Sequence, residues 1–176
     1  MKKFFALLLT LALLCPTTLA FANEIQTPAP GEKVMDISVA DDIGFVLYRS
    51  KDAEASTSLA EQTLMATKKY TSDSYEGYFY VESSGQKISD HTFKVKFSYD
   101  GSIATCYDTD SKIIMDDKYT GNLRPVVEDE GEDNLTPTQV YGYVTFVLYN
   151  GKKVSSEVHI KIYCNQDGDT WVSRRG

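Results

Sequence analysis

The chain is poor in the residues from which most catalytic centres are made. Its 176 residues include two histidines, His91 and His159, three cysteines and one tryptophan. A serine hydrolase needs its histidine in contact with a nucleophile and an acid, and neither histidine lies near a G-x-S-x-G elbow. His91 falls in a polar stretch with Ser89 and Asp90 that reads as a loop, and His159 alternates outward beside Glu157 and Lys161. Isolated cysteines without neighbouring histidines do not fill a structural zinc site. Clusters of lysine and arginine are also missing, and the formal charge is −7, which disfavours nucleic acid and anionic membranes as partners. Beyond the N-terminus no apolar run is long enough to span a bilayer, so no membrane insertion is expected once that segment is removed. There is no internal repeat.

The N-terminal segment reads as an export signal. Lys2 and Lys3 precede the apolar run Phe4 to Leu14, and Ala20-Phe21-Ala22 supplies an A-x-A cleavage pattern. Cys15 follows Leu14, where a lipid-attachment signal wants a small residue, so simple cleavage after Ala22 is the expectation. Without Lys2 and Lys3 the balance is 16 basic against 25 acidic residues, or −9. The chain divides into a signal peptide (1–22), a flexible leader with two prolines (23–33) and one domain (34–176) long enough for a core of its own. The product is expected to be secreted, or periplasmic where the source has an outer membrane.

What is abundant is period-two alternation. Val140, Val144, Phe146 and Leu148 share the even positions, and after a turn so do Val154, Val158, Ile160, Ile162 and Cys164; each run is a strand with one buried face. A two-residue loop at Asn150-Gly151 would set the two apolar faces on opposite sides. A three-residue loop, Tyr149-Asn150-Gly151, brings Phe146 opposite Val154, with Gly151 in the left-handed position. Upstream, Phe93, Val95, Phe97 and Tyr99 alternate before Asp100-Gly101. A two-residue loop there pairs Phe97 with Ala104 and Val95 with Cys106, turning Cys106 inward; a three-residue loop turns it outward. Ile43 to Arg49 and Gly77 to Ser83 read as further strands, Lys112 to Met115 as a short one, and Trp171 as part of a last one. Asp52 to Tyr70 fits either a helix or a strand, the strand being preferred. Glu128 to Pro137 reads as an acidic loop. The fold class is all-β, an antiparallel β-sandwich of immunoglobulin-like or related kind; the alternative is a β-barrel with one short helix around 53–66.

Export changes how the cysteines read. With Cys15 removed, Cys106 and Cys164 remain, and an even count in an oxidising compartment favours a disulfide. Closing that loop of 58 residues would stabilise the fold by about 4 kcal/mol. An inward Cys164 favours the inward reading of Cys106. The stretches "FKVKFSYDGSIATC" and "VHIKIYC" resemble small exported proteins of Gram-positive anaerobes, in which a similar turn and a final strand each supply one cysteine. The likeness spans Phe93 to Cys164. It implies an exported β-sandwich with a disulfide and no assigned activity; the acidic Glu128 to Asp133 segment departs from that pattern.

Three groups could carry binding. Tyr75, Tyr78 and Tyr80 cluster on one strand; Phe79 has the parity of Val81, so Tyr78 and Tyr80 share the opposite face, where rings could stack on a sugar or anchor a protein. Asn165, Asp167 and Asp169, or the acids of Glu128 to Asp133, could supply oxygens to a weak calcium site. Neither stretch has the D-x-D-x-D-G spacing, however, and a solvated loop is preferred. Nothing singles out two carboxylates for glycoside hydrolysis. The expected function is a non-catalytic extracellular binding or structural module without a cofactor, its partner a glycan or a cell-surface protein. The alternatives are a small secreted hydrolase built from scattered carboxylates and a weak calcium-dependent glycan-binding domain.

Overall fold

A computed structural model describes residues 28–51 and 68–173. The signal peptide, the leader up to residue 27 and the helix-or-strand question at 52–67 lie outside the described residues. Among the described residues nine antiparallel strands follow one another: β1 (Lys33–Ala40), β2 (Ile43–Arg49), β3 (Lys69–Val81), β4 (Lys87–Tyr99), β5 (Ala104–Met115), β6 (Leu123–Thr136), β7 (Gln139–Asn150), β8 (Lys153–Asn165) and β9 (Thr170–Val172). The first five form one sheet in sequence order and the last four a second. The architecture is the expected sandwich. Its connectivity is two successive meanders, in place of the Greek-key connections of the immunoglobulin fold, and among the described residues there is neither helix nor closed barrel.

The alternation that makes the strands also makes the core. Phe45, Phe79, Phe93, Val95 and Phe97 of the first sheet face Val144, Phe146, Ile160 and Ile162 of the second, all of them buried. Full burial of each such side chain is worth about 1.5–3 kcal/mol. Phe146 crosses to Phe45, with ring centroids 6.3 Å apart. Polar ties close the seams between the sheets. The Asn134 side chain on β6 accepts from the Cys106 N–H (2.9 Å) and donates to its carbonyl (3.3 Å), a side-chain imitation of a strand pairing. At one end the Gly101 N–H donates to the Gln166 carbonyl and the Ala104 N–H to that of Pro137.

Both hairpin registers differ from those the alternation suggests. The β7–β8 hairpin turns on Gly151-Lys152, with Asn150 opposite Lys153 and Tyr149 opposite Val154. A bulge at Ser155 then restores parity, so that Phe146 faces Val158 and Val144 faces Ile160. Gly151 does take the left-handed conformation (φ 61°), but Val154, expected inward, is exposed. The bulge does the work assigned to a longer loop. In the β4–β5 hairpin Phe97 faces Cys106, not Ala104, because the loop spans Asp100 to Ile103; the Asp100 carboxylate accepts from the Ser102 and Ile103 N–H groups and caps it. Cys106 is nonetheless inward.

The acidic stretch Glu128 to Pro137 is not a loop. It belongs mostly to β6, the edge strand of the second sheet. Charges on an edge strand discourage pairing with another chain, so acidity here marks an edge rather than a turn. Lys112 to Met115 is the end of a strand of twelve residues. Pro28 to Glu32, assigned from sequence to the leader, are bonded to β2: the Arg49 Nη1 donates to the Pro28 carbonyl, and the Gly31 N–H donates to that of Arg49.

Candidate functional site

The outer face of the first sheet carries the candidate site. Register places Tyr78 of β3 opposite Val46 of β2 and Asp90 of β4, and Tyr80 opposite Gly44. A Cβ on Gly44 would come within 2.3 Å of the Tyr80 ring, so the glycine lets that ring lie flat on the sheet. The Tyr80 hydroxyl donates to Asp36 (3.1 Å), and the Tyr80 ring packs edge-on against Tyr78 at 5.8 Å. Tyr48 on β2 lies nearly parallel to Tyr78, with centroids 6.4 Å apart and planes 27° from each other. Rings in face-to-face contact would be closer, so part of each ring stays open. Lys87 Nζ sits 4.9 Å from the Tyr78 centroid while pairing with Asp90 (2.7 Å).

Tyr48, Tyr78, Lys87 and Asp90 border a groove of about 840 Å³, which also touches Arg49, Lys51, Glu76 and Thr92, whereas Tyr80 lies outside it. The Arg49 side chain itself turns to the core-facing side, opposite Tyr75 in register. Its Nε donates to Asp73 (2.9 Å) and its Nη1 to the Pro28 carbonyl. Asp73 is fully buried and accepts in addition from Thr170 of β9 (2.7 Å) and from Tyr75 (3.1 Å). Burial and the Asp73 charge push the Tyr75 phenol far above its ordinary value. Glu76 accepts from the Ser50 hydroxyl (2.6 Å).

The residues expected at a site are brought together only in part. Tyr78 and Tyr80 share the outer face opposite Phe79. Tyr75 does not join them: it has the odd parity of Phe79 and is fully buried. Cys106 and Cys164 are free thiols, so the expected disulfide is not made. They project into the core from opposing sheets, and facing sheets stand about 10 Å apart, whereas a disulfide needs its Cα atoms within about 4.4–6.8 Å. Cys164 Sγ donates instead to the Asn165 carbonyl (3.3 Å), and burial pushes both thiols up to about 12.

The acidic candidates are used locally. Asn165 Oδ1 accepts from the Asp167 and Asp169 N–H groups, and its Nδ2 donates to the Asp169 carboxylate, which closes the β8–β9 turn. On β6, Glu128 accepts from Tyr149, Glu130 from Ser111 and Asp133 from Tyr141. Among the described residues no three His, Cys, Asp or Glu converge as metal ligands would.

His91 is a core residue of β4, not a loop residue. Its Nε2 shares a hydrogen bond with Ser89 (2.9 Å), while Nδ1 is buried without a partner. Phe79 and Phe146 pack against it at 4.9 and 4.6 Å, and burial lowers its pKa to about 3. Ser89 is equally buried, so this serine–histidine pair meets no substrate. His159 is exposed, with Thr145 at 3.0 Å and Glu157 at 3.5 Å.

The second sheet carries a row of rings that sequence reasoning missed. Trp171 stacks on Tyr163 (5.4 Å, planes 9° apart), Tyr163 meets Tyr141 at 5.0 Å, and Tyr141 meets Tyr143 at 6.3 Å. Lys161 Nζ covers the Tyr141 ring at 4.4 Å, and Asp133 holds its hydroxyl, pushed up to about 12. These faces are largely spent on one another. Compared with family models, curated proteins and solved structures, the chain has no match.

Proposed function

We propose that this chain is an exported, non-catalytic binding module whose groove on the first sheet takes a saccharide. The groove itself carries that reading: a formed concave surface with a partly open Tyr48 ring beside polar groups fixed by their own partners. Ligand sites combine an apolar wall with a few oriented polar groups, and a rigid tyrosine offers contact area at little entropic cost. The resemblance to small exported proteins and the signal-like N-terminus support the extracellular setting.

A hydrolase finds less support. The buried Ser89–His91 pair is sealed from solvent, and in the groove the carboxylates of Glu76 and Asp90 are engaged by Ser50 and Lys87. The test is a binding screen of the purified chain against soluble glycans and cell-wall polysaccharide, with Tyr48→Ala as control. Binding that Tyr48→Ala weakens about tenfold, with unchanged melting, is the expected result. Binding indifferent to Tyr48, or no binding, removes the reading.

A further inference from the structure

The groove is longer than a single sugar ring. Tyr78 of β3, Asp90 of β4 and Ile114 of β5 stand opposite one another in register, and Tyr48 of β2, Glu76 of β3 and Thr92 of β4 form the neighbouring row. All six line the groove and share the even, outward parity of their strands. The groove therefore runs across four strands rather than along one. Adjacent strands lie about 4.7–4.9 Å apart, so the span from β2 to β5 is about 14 Å, the length of about three linked sugar rings. β5 is the last strand of its sheet, and among the described residues no further strand closes the groove at that end.

Both ends of this span are apolar and its middle is polar. Tyr48, with its partly open ring, stands at the β2 end. At the β5 end is Ile114, which is 52% exposed and takes no part in the core. Between them Lys87 Nζ donates to Asp90 Oδ1 and the Ser50 hydroxyl to Glu76 Oε1. Among the described residues the second oxygens, Asp90 Oδ2 and Glu76 Oε2, have no donor, which leaves them to accept from hydroxyls. The charges cancel: Lys87 pairs with Asp90, Arg49 turns inward to Asp73, and Glu76 and Lys51 are one of each sign. A groove so balanced offers an ionic ligand no net attraction, and the chain as a whole, at −7, repels an anion.

We propose that the groove takes a stretch of a neutral polysaccharide about three units long, laid across the strands from Tyr48 to Ile114. This rests on the saccharide reading above and adds the charge and the length of the ligand. Sugar rings have apolar C–H faces and hydroxyl edges. The faces meet Tyr48 and Ile114, and the hydroxyls donate to the second oxygens of Glu76 and Asp90. The open β5 end lets a longer chain continue past the edge of the sheet.

Calorimetric titration of the purified chain with neutral ladders tests this: cello-, xylo- and N-acetylchito-oligosaccharides from dimer to hexamer, with an oligogalacturonate as the acidic probe. In at least one ladder the affinity should rise about tenfold from dimer to tetramer, stay level to the hexamer and change little with salt. Ile114→Ala should lower the tetramer affinity about fivefold and leave the dimer affinity and the melting temperature as they were. Equal affinity at every length, with Ile114→Ala binding like the parent chain and Tyr48→Ala weakened, would overturn the extended reading and leave the saccharide groove standing. Tighter binding of the oligogalacturonate, fading as salt is raised, would overturn the neutral ligand and leave the groove standing too. No binding, or binding indifferent to Tyr48→Ala, would overturn both.

Discussion

The two sheets spend their polar groups differently. Inside, the second sheet is apolar along β7 and β8, whereas the first buries Asp73, Ser89 and His91 among its aromatic side chains. Outside, the second sheet packs its rings against one another, whereas the first leaves Tyr48 partly open at a groove. Burying a charge is unfavourable unless it is paired, and Asp73 is paired with Arg49, which shares its core-facing side of the first sheet. Among the described residues the second sheet has one buried polar side chain, Thr170, and it donates to that same Asp73. The first sheet thus carries the polar core, and the second supplies apolar burial and closure.

The most direct way to break this contrast is Asp73→Ala. It leaves Arg49 without its carboxylate and removes the bonds that Tyr75 and Thr170 make to Asp73, and should destabilise the chain by about 3–5 kcal/mol in denaturant unfolding. A loss under about 1 kcal/mol would mean that the polar core of the first sheet carries nothing special. Acid gives the next largest effect. The folded-state pKa of His91, about 3, lies below the ordinary value near 6.5, so the unfolded chain takes up the proton first as pH falls. The stability linked to neutral His91 is complete above about pH 6.5 and drains away as pH falls toward 3, by about 2–3 kcal/mol between pH 6.5 and 4.5. His91→Phe should flatten that slope, since Phe45, Phe79 and Phe146 already surround the ring. An unchanged slope assigns the acid sensitivity elsewhere.

Much of this asymmetry could be read in the sequence, and the rest could not, for one reason. Period two gives parity, so β2, β7, most of β8 and the shared outer face of Tyr78 and Tyr80 were legible. Parity was also enough to place Tyr75 in the core, because it shares the odd positions with Phe79; proximity along the chain outweighed it. What period two does not carry is register across strands. The bulge at Ser155 moves Phe146 from Val154 to Val158, and the four-residue loop at Asp100 moves Phe97 to Cys106. The meeting of Tyr48 with Tyr78, and of Tyr163 with Trp171, depends on such cross-strand pairing. Polar character misled twice. Ser89-Asp90-His91 looked like a loop because two of its three side chains are polar core, and Glu128 to Asp133 because edge strands tolerate charge.

Ring truncations sharpen the comparison of the outer faces. Tyr163→Ala removes contacts to both Trp171 and Tyr141 and should lower stability by about 1–2 kcal/mol, since aromatic pairs contribute about 0.5–1.5 kcal/mol each. Tyr48→Ala touches one offset ring and should cost less than about 0.5 kcal/mol while weakening ligand binding about tenfold. The same stability loss at both positions would erase the distinction between a packed face and an open one.

The smallest effect expected is that of a reductant, and it bears on the two buried cysteines, one from each sheet. Cys106 and Cys164 each project into the core, free and buried, with thiol pKa values near 12 that leave almost no thiolate at neutral pH. Native protein should therefore resist labelling, as a disulfide-bonded one would, so native labelling does not discriminate. Unfolding does. In denaturant without reductant the described domain should take up label at both positions, and adding reductant should move the unfolding midpoint by an amount indistinguishable from zero. A bond closing the loop between them would instead hide both thiols in denaturant, and reducing it would cost about 4 kcal/mol. That result would mean the sheets approach one another at Cys106 and Cys164 more closely than described here, and that burial of two thiols is not what holds this part of the core.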